Sequence, residues 1–200
     1  ADPTRRKLLA GAAGLGLAAG AAGLASMTAQ AAELKDTQTR EFEGRNAFIT
    51  GAARGIGLAC AEALAKGGAN IVLYDIASQI KKVPYPLATA EDLANAKASI
   101  EALGVKCIAV KGDVRDGKAQ AAAMQRAVSE FGSLDFVVGN AGITQIGALE
   151  SFSEEELSLI IDINLKGVIK TVQAATPIMR AQNSGRIVLM SSVTGRAGSP

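Results

Sequence analysis

The sequence predicts an α/β fold, doubly wound around a parallel sheet, from Arg45 to Pro200. Three observations predict it. Short apolar runs alternate with longer helical patterns, the apolar runs are continuous, and glycines stand where several elements give way to the next. Alternation of this kind means parallel strands joined by crossover helices. Continuous apolar strands mean a sheet covered on both faces. The 200 residues, 48% hydrophobic, suit one domain with a sizeable core. No internal repeat or second domain is visible.

In chain order, "NAFIT" (46–50) reads as a strand and "GIGLACAEALAKGG" as a helix closed by Gly67-Gly68. "NIVLYD" (70–75) is a second strand, followed by the helix "EDLANAKASIEALG", which Gly104 ends. "KCIAVKGDV" is a third strand, "KAQAAAMQRAVSEFG" a helix and "LDFVVGNAG" a fourth strand. One long helix then runs from Ser153 to about Gly185, opened by a Ser153–Glu156 capping box and kinked or restarted at Pro177. "RIVLM" (186–190) reads as a buried fifth strand, and "SSVTGRAGSP" as a loop at the mouth of a site.

Composition excludes several chemistries. The chain has no His, which removes Ser-His-Asp and Cys-His catalysis and any His-bearing zinc site, and no metal site is predicted. The net charge of +2 is accounted for by Asp2, Arg5, Arg6 and Lys7. The remainder is formally neutral, so no basic patch points to nucleic acid. Cys60 and Cys107 fall in a helix and a strand and are expected to be two separate buried thiols, unless the fold brings them within disulfide reach.

Residues 1–31 read as an address. Arg5-Arg6-Lys7 precede an uncharged Ala/Gly/Leu run, and Ala29-Gln30-Ala31 offers a small-x-small cleavage site. The paired arginines followed by Leu8-Leu9 look like a twin-arginine export signal. Export to a bacterial periplasm is therefore expected, with a mature start at Ala32, a polar lead-in over 32–44 and only transient membrane contact. An uncleaved signal would instead serve as a membrane anchor.

The loop "TGAARGIG" (50–57) joins the first strand to the first helix. Gly51 permits the tight turn, Gly55 lets the backbone approach a pyrophosphate, and Gly57 lets helix pack on strand. The helix N-terminus, with Arg54 and Ile56 beside it, offers free N–H groups to phosphate. No Gly-Lys-Ser/Thr ending follows, which disfavours a triphosphate loop. Asp75 ends the second strand about twenty residues on, where an acid can accept both ribose hydroxyls. Its charge opposes a 2′-phosphate and favours NAD over NADP, while Arg54 pulls towards NADP. The whole reads as a Rossmann-like nucleotide domain.

These residues resemble the short-chain dehydrogenase/reductase family. Thr50 to Gly57 is similar to its TGxxxGIG cofactor motif, and Asn140-Ala141-Gly142 to its NAG motif, with Gly139 where Asn is usual. Asp113-Val114 resembles the pair that contacts adenine. Asn164, in "DINLKG", resembles the helix Asn behind a proton-relay water, and Ser192 the Ser that holds the substrate oxygen. The resemblance covers residues 45–200 in the family's order. It implies an NAD-dependent oxidoreductase moving hydride between the nicotinamide and a small, hydrophobic secondary alcohol or ketone, in a homo-oligomer such as a tetramer. The Pro-rich segment Val83–Thr89, followed by Glu91-Asp92-Leu93, looks like the insertion of carveol-dehydrogenase-like members, some of which hold NAD tightly.

One part of the family pattern is missing. The family's base is the Tyr of a Tyr-x-x-x-Lys motif beyond the Ser, and the sequence reaches Pro200 before that point. Tyr74 is followed four places on by Ser78, and Tyr85 by Thr89, so neither makes the motif. The C-terminal part of the family fold is thus expected to be absent from these residues. If no such Tyr and Lys belong to the protein, the alternative is a non-catalytic dinucleotide-binding protein.

Overall fold

The computed structural model describes residues 40–193. The expected signal at 1–31, most of the lead-in and the end of the closing loop, 194–200, lie outside the described residues.

Among the described residues, five strands form one parallel sheet in the order β3-β2-β1-β4-β5. The chain runs β1 (Asn46–Thr50), α1 (Gly55–Lys66), β2 (Asn70–Asp75), α2 (Ala90–Glu101), β3 (Cys107–Lys111), α3 (Gly117–Phe131) and β4 (Phe136–Gly139). It continues through α4 (Glu154–Ile161), α5 (Val168–Gln182) and β5 (Arg186–Leu189). In β1, Phe48 stands opposite Val72 of β2 on one side and Val137 of β4 on the other.

The continuous apolar strands are explained by two cores. Ala47, Ile49, Ile71 and Leu73 face the core that includes Ala61 and Ala65 of α1 and Leu93, Ala96 and Ile100 of α2. Phe48, Val72, Tyr74 and Val137 face the opposite core with Met124 of α3 and Ala175 and Ile178 of α5. Each fully buried large side chain contributes roughly 1.5–3 kcal/mol of transfer free energy. At the N-terminal end of the sheet, Asp135 accepts hydrogen bonds from Arg45 Nη1 (2.8 Å), the Asn46 amide (3.0 Å) and Ser133 Oγ (2.6 Å), which seals that end. Cys60 is half-buried and Cys107 buried, and both thiols are free.

Three expectations change. The long helix is helical without a break from Glu154 to Gln182, but it widens into a π turn over Asp162–Gly167 that separates α4 from α5. Pro177 does not interrupt α5, which runs on to Gln182. Ala175, Ile178 and Met179 are buried on both sides of the proline, and the Thr176 hydroxyl donates to the Val172 carbonyl (2.7 Å). The disruption falls instead at Asn164, whose side chain bonds outside the helix. Finally, β5 is an edge strand, with Val188 54% and Leu189 47% exposed, because nothing among the described residues covers its outer side. The Ser153–Glu156 capping box is present, the Ser153 amide donating to Glu156 Oε2 at 2.9 Å.

Candidate functional site

Successive strands are added on one side of β1 as far as β3, then on the other from β4. Open parallel sheets bind ligands beyond the strand carboxyl ends at such a reversal. A cavity of about 350 Å³ lies there, walled by the β1–α1 loop, the ends of β2 and β3, the loop after β4 and the segment between β2 and α2.

The three loop glycines have three distinct reasons. Gly51 sits at φ +65° with its amide on the Tyr74 carbonyl (2.8 Å), and a Cβ there would lie 2.9 Å from Ala141 Cα. At Gly57 a Cβ would lie 2.1 Å from the Gly51 carbonyl oxygen, so only glycine lets α1 come this close. Gly55, at φ +59°, has nothing within 4 Å of a Cβ position, so the backbone is bare towards the cavity it lines. Arg54 precedes α1 in extended conformation, no side chain caps the helix, and no acid lies in its first turn. Its first amides and its dipole favour an anion there.

Asp75 is 5% exposed, yet it lines the cavity. Its carboxylate accepts from the Ala53 amide (3.0 Å) and the Ala77 amide (2.9 Å), which fixes its orientation and ties the glycine loop to β2. Asn140 acts from the other side. Its Nδ2 donates to the Thr50 and Gly51 carbonyls (2.9 and 3.2 Å), while Thr50 Oγ1 accepts the Asn140 and Ala141 amides. Ala141 and Gly142 continue the same wall.

Beyond β3, Asp113 and Val114 line the cavity. Asp113 is paired with Arg115, Oδ2 to Nη2 at 2.5 Å. Burial works to raise the Asp113 carboxyl, but the Arg115 hydrogen bonds and charge, with Lys170 behind, hold it below the usual carboxylate range. The Tyr74 hydroxyl donates to the Asp113 carbonyl (3.0 Å), and burial, with Asp116 and Asp113 nearby, pushes its pKa up to about 12. Such a phenol is no base near neutral pH.

Two predicted residues stand apart from the cavity wall. Asn164 clasps a backbone, accepting the Ile143 amide on Oδ1 (2.8 Å) and donating Nδ2 to the Ile143 carbonyl (2.7 Å). It therefore sets the position of Ile143, which does line the cavity. Ser192 lies exposed, three residues past β5.

The sequence reading missed the wall made by Ile80, Tyr85, Leu87 and Ala88. Gln79 shapes this segment: its Nε2 is 3.0–3.2 Å from the Ile80, Val83 and Tyr85 carbonyls, and its Oε1 accepts the Leu87 amide (3.0 Å). The segment is tied across the cavity. The Tyr85 hydroxyl accepts the Thr144 amide (2.9 Å), Gln145 Nε2 donates to the Lys82 carbonyl (3.0 Å), and the Arg54 guanidinium donates to the Pro86 carbonyl. Apolar residues at 80, 83, 85 and 87, with Pro84 and Pro86 between them, were the signal for a packed wall.

The short chain dehydrogenase family model matches residues 45–200. The chain belongs to this family. It is 48% identical over 160 residues to an uncharacterized oxidoreductase of Mycobacterium tuberculosis, covering 80% of this chain and 57% of that protein. It is 42% identical over 158 residues to the (-)-trans-carveol dehydrogenase of Rhodococcus erythropolis, covering 78% and 57%. The crystal structure of carveol dehydrogenase from Mycobacterium avium in complex with NAD superposes with a TM-score of 0.76 at 40% identity, covering 80% of this chain and 58% of that one. The chain thus spans somewhat over half the length of these short-chain dehydrogenase relatives.

Proposed function

We propose that this chain supplies the NAD-binding half of an oxidoreductase acting on a secondary alcohol or ketone, small and hydrophobic. The observation that carries the reading is one cavity with the bare Gly55 backbone and α1 N-terminus at one place and the oriented Asp75 carboxylate at another. Those groups fit a dinucleotide. The Gly51–Gly57 loop receives the pyrophosphate, with Ile56 beside it, Asp75 the adenine ribose, Asp113 and Val114 the adenine, and Asn140 to Gly142 the middle of the cofactor. NAD is preferred to NADP, because Asp75 opposes a 2′-phosphate and the Arg54 guanidinium is already engaged by the Pro86 carbonyl.

When bound, NAD supplies the hydride acceptor. Ser192 holds the substrate oxygen, and Asn164 supports the proton relay through the Ile143 loop. The 76–89 segment shields the cofactor from water and slows its release, in keeping with its three ties across the cavity. Arg5-Arg6 and the Ala/Gly/Leu run support twin-arginine export to the periplasm, which cell fractionation tests. Ile161, Leu165 and Ile169, all exposed at four-residue spacing, support self-association, which sedimentation tests.

The decisive assay incubates the full-length protein with NAD and a panel of hydrophobic secondary alcohols and follows reduced nicotinamide. Turnover on secondary but not primary alcohols supports the reading. NAD binding without turnover on any of them moves the protein to the non-catalytic alternative.

A further inference from the structure

Gln120 is a polar side chain in the first turn of α3 with 0% exposure. Its Nε2 donates to the Val114 carbonyl at 2.7 Å and reaches the Gly167 carbonyl at 3.5 Å, while Oε1 accepts from Thr171 Oγ1 at 2.7 Å. The two carbonyls fix the amide's orientation, since turned over its oxygen would face both. Burying an amide is costly unless its groups are bonded, so a helix that only needed packing here would carry an apolar residue.

The bonds lead to two parts of the site. Val114 is a cavity wall after β3, and Gly167 ends the π turn that carries Asn164. Gly167 leaves no room for a side chain beside Val114, as a Cβ on Gly167 would lie 2.9 Å from Val114 Cγ2. Within the same turn Asn164 grips Ile143, a second cavity wall. Lys170 adds a parallel tie, its Nζ donating to the Arg115 carbonyl at 2.5 Å.

We propose that Gln120 is a positioning residue that holds the Val114 wall and the Asn164 turn in one fixed relation, so that both ends of the cavity keep their geometry together. It acts through Val114 on one side and through Thr171, whose hydroxyl lies 3.0 Å from the Gly167 carbonyl, on the other, and does not itself line the cavity. The proposal rests on the dinucleotide reading above, in which Val114 borders the adenine and Asn164 serves the reacting end.

The test uses the full-length protein, AMP as a probe of the adenine end, and hydrogen exchange of the Ile143 amide as a probe of the Asn164 clasp. Gln120→Met fills similar space without donor or acceptor. It is expected to weaken AMP binding about tenfold and to speed Ile143 exchange about tenfold, the loss of one well-made buried hydrogen bond on each side, to Val114 and to Thr171. Thr171→Val removes the bond between Gln120 and α5 and the Thr171 hydroxyl 3.0 Å from the Gly167 carbonyl but leaves Gln120 on Val114, so it should speed Ile143 exchange while changing AMP affinity by less than about twofold. Should Gln120→Met fail to fold, Gln120→Asn, which stays polar but whose shorter amide no longer reaches Val114, must give the same two changes. Unchanged AMP affinity or unchanged Ile143 exchange in the folded variant overturns the proposal, as does an equal loss of AMP affinity from Thr171→Val. If the wild-type protein binds no AMP, the nucleotide reading fails, and Ile143 exchange alone then decides the role of Gln120.

Discussion

Gly55 and Gly57 stand two residues apart and fail differently when given a side chain. A Cβ on Gly55 meets open space, so Gly55→Ala bears only the left-handed backbone, about 1–2 kcal/mol, while its methyl intrudes where a phosphate would sit. We expect a folded protein, by circular dichroism, with NAD affinity lowered at least about tenfold, about what one lost charge-assisted hydrogen bond costs. Gly57→Ala strikes the Gly51 carbonyl and should lower the unfolding midpoint as well. Asp113 predicts a pH signature. A carboxyl depressed in the folded state adds stability above its unfolded value of about 3.9, and that share is lost as pH falls through the folded value. In Arg115→Met, burial acts on Asp113 without its main opponent, so the Asp113 contribution moves towards the opposite sign. The urea midpoints of wild type and Arg115→Met should then converge as pH falls from about 6 to about 3. A constant gap would show that Arg115 acts elsewhere.

Among the elements, the 76–89 segment carries the sharpest prediction. Gln79 gathers three of its carbonyls and one amide, so Gln79→Ala should loosen the wall without touching the sheet. Trypsin should then cut after Lys81 or Lys82 at least about tenfold faster, with cleavage elsewhere unchanged, since proteolysis follows local opening. The five strands were legible in the sequence because each is an apolar run with its own bounding turn, and the glycine loop because its spacing is local. The π turn was not legible. It depends on Asn164 meeting Ile143, 21 residues earlier, a contact that helical periodicity cannot show. Pro177 misled for the converse reason: burial of Ile178 and Met179 outweighs the lost donor. The Val83–Thr89 insertion was visible as a segment, but its place on the cavity wall depends on ties to Thr144 and Gln145.

For the molecule as a whole, one cavity at the reversal of strand order gathers the glycine loop, Asp75, Asp113 and Asn140 from four separate strand ends. A ligand that binds only the folded state stabilises it by about 2.7 kcal/mol at a hundredfold excess over its dissociation constant. NAD should therefore raise the melting temperature of the intact protein, and NADP should do so less. The most direct measurement is calorimetric titration of NAD and NADP into the wild-type protein and Gly55→Ala, after removal of any cofactor carried through purification. Dinucleotide binding between the Gly55 loop and Asp75 predicts one NAD bound per chain, NADP weaker by about tenfold or more, and little binding to the folded Gly55→Ala variant. Equal affinity for NAD and NADP, or wild-type affinity in Gly55→Ala, would contradict it.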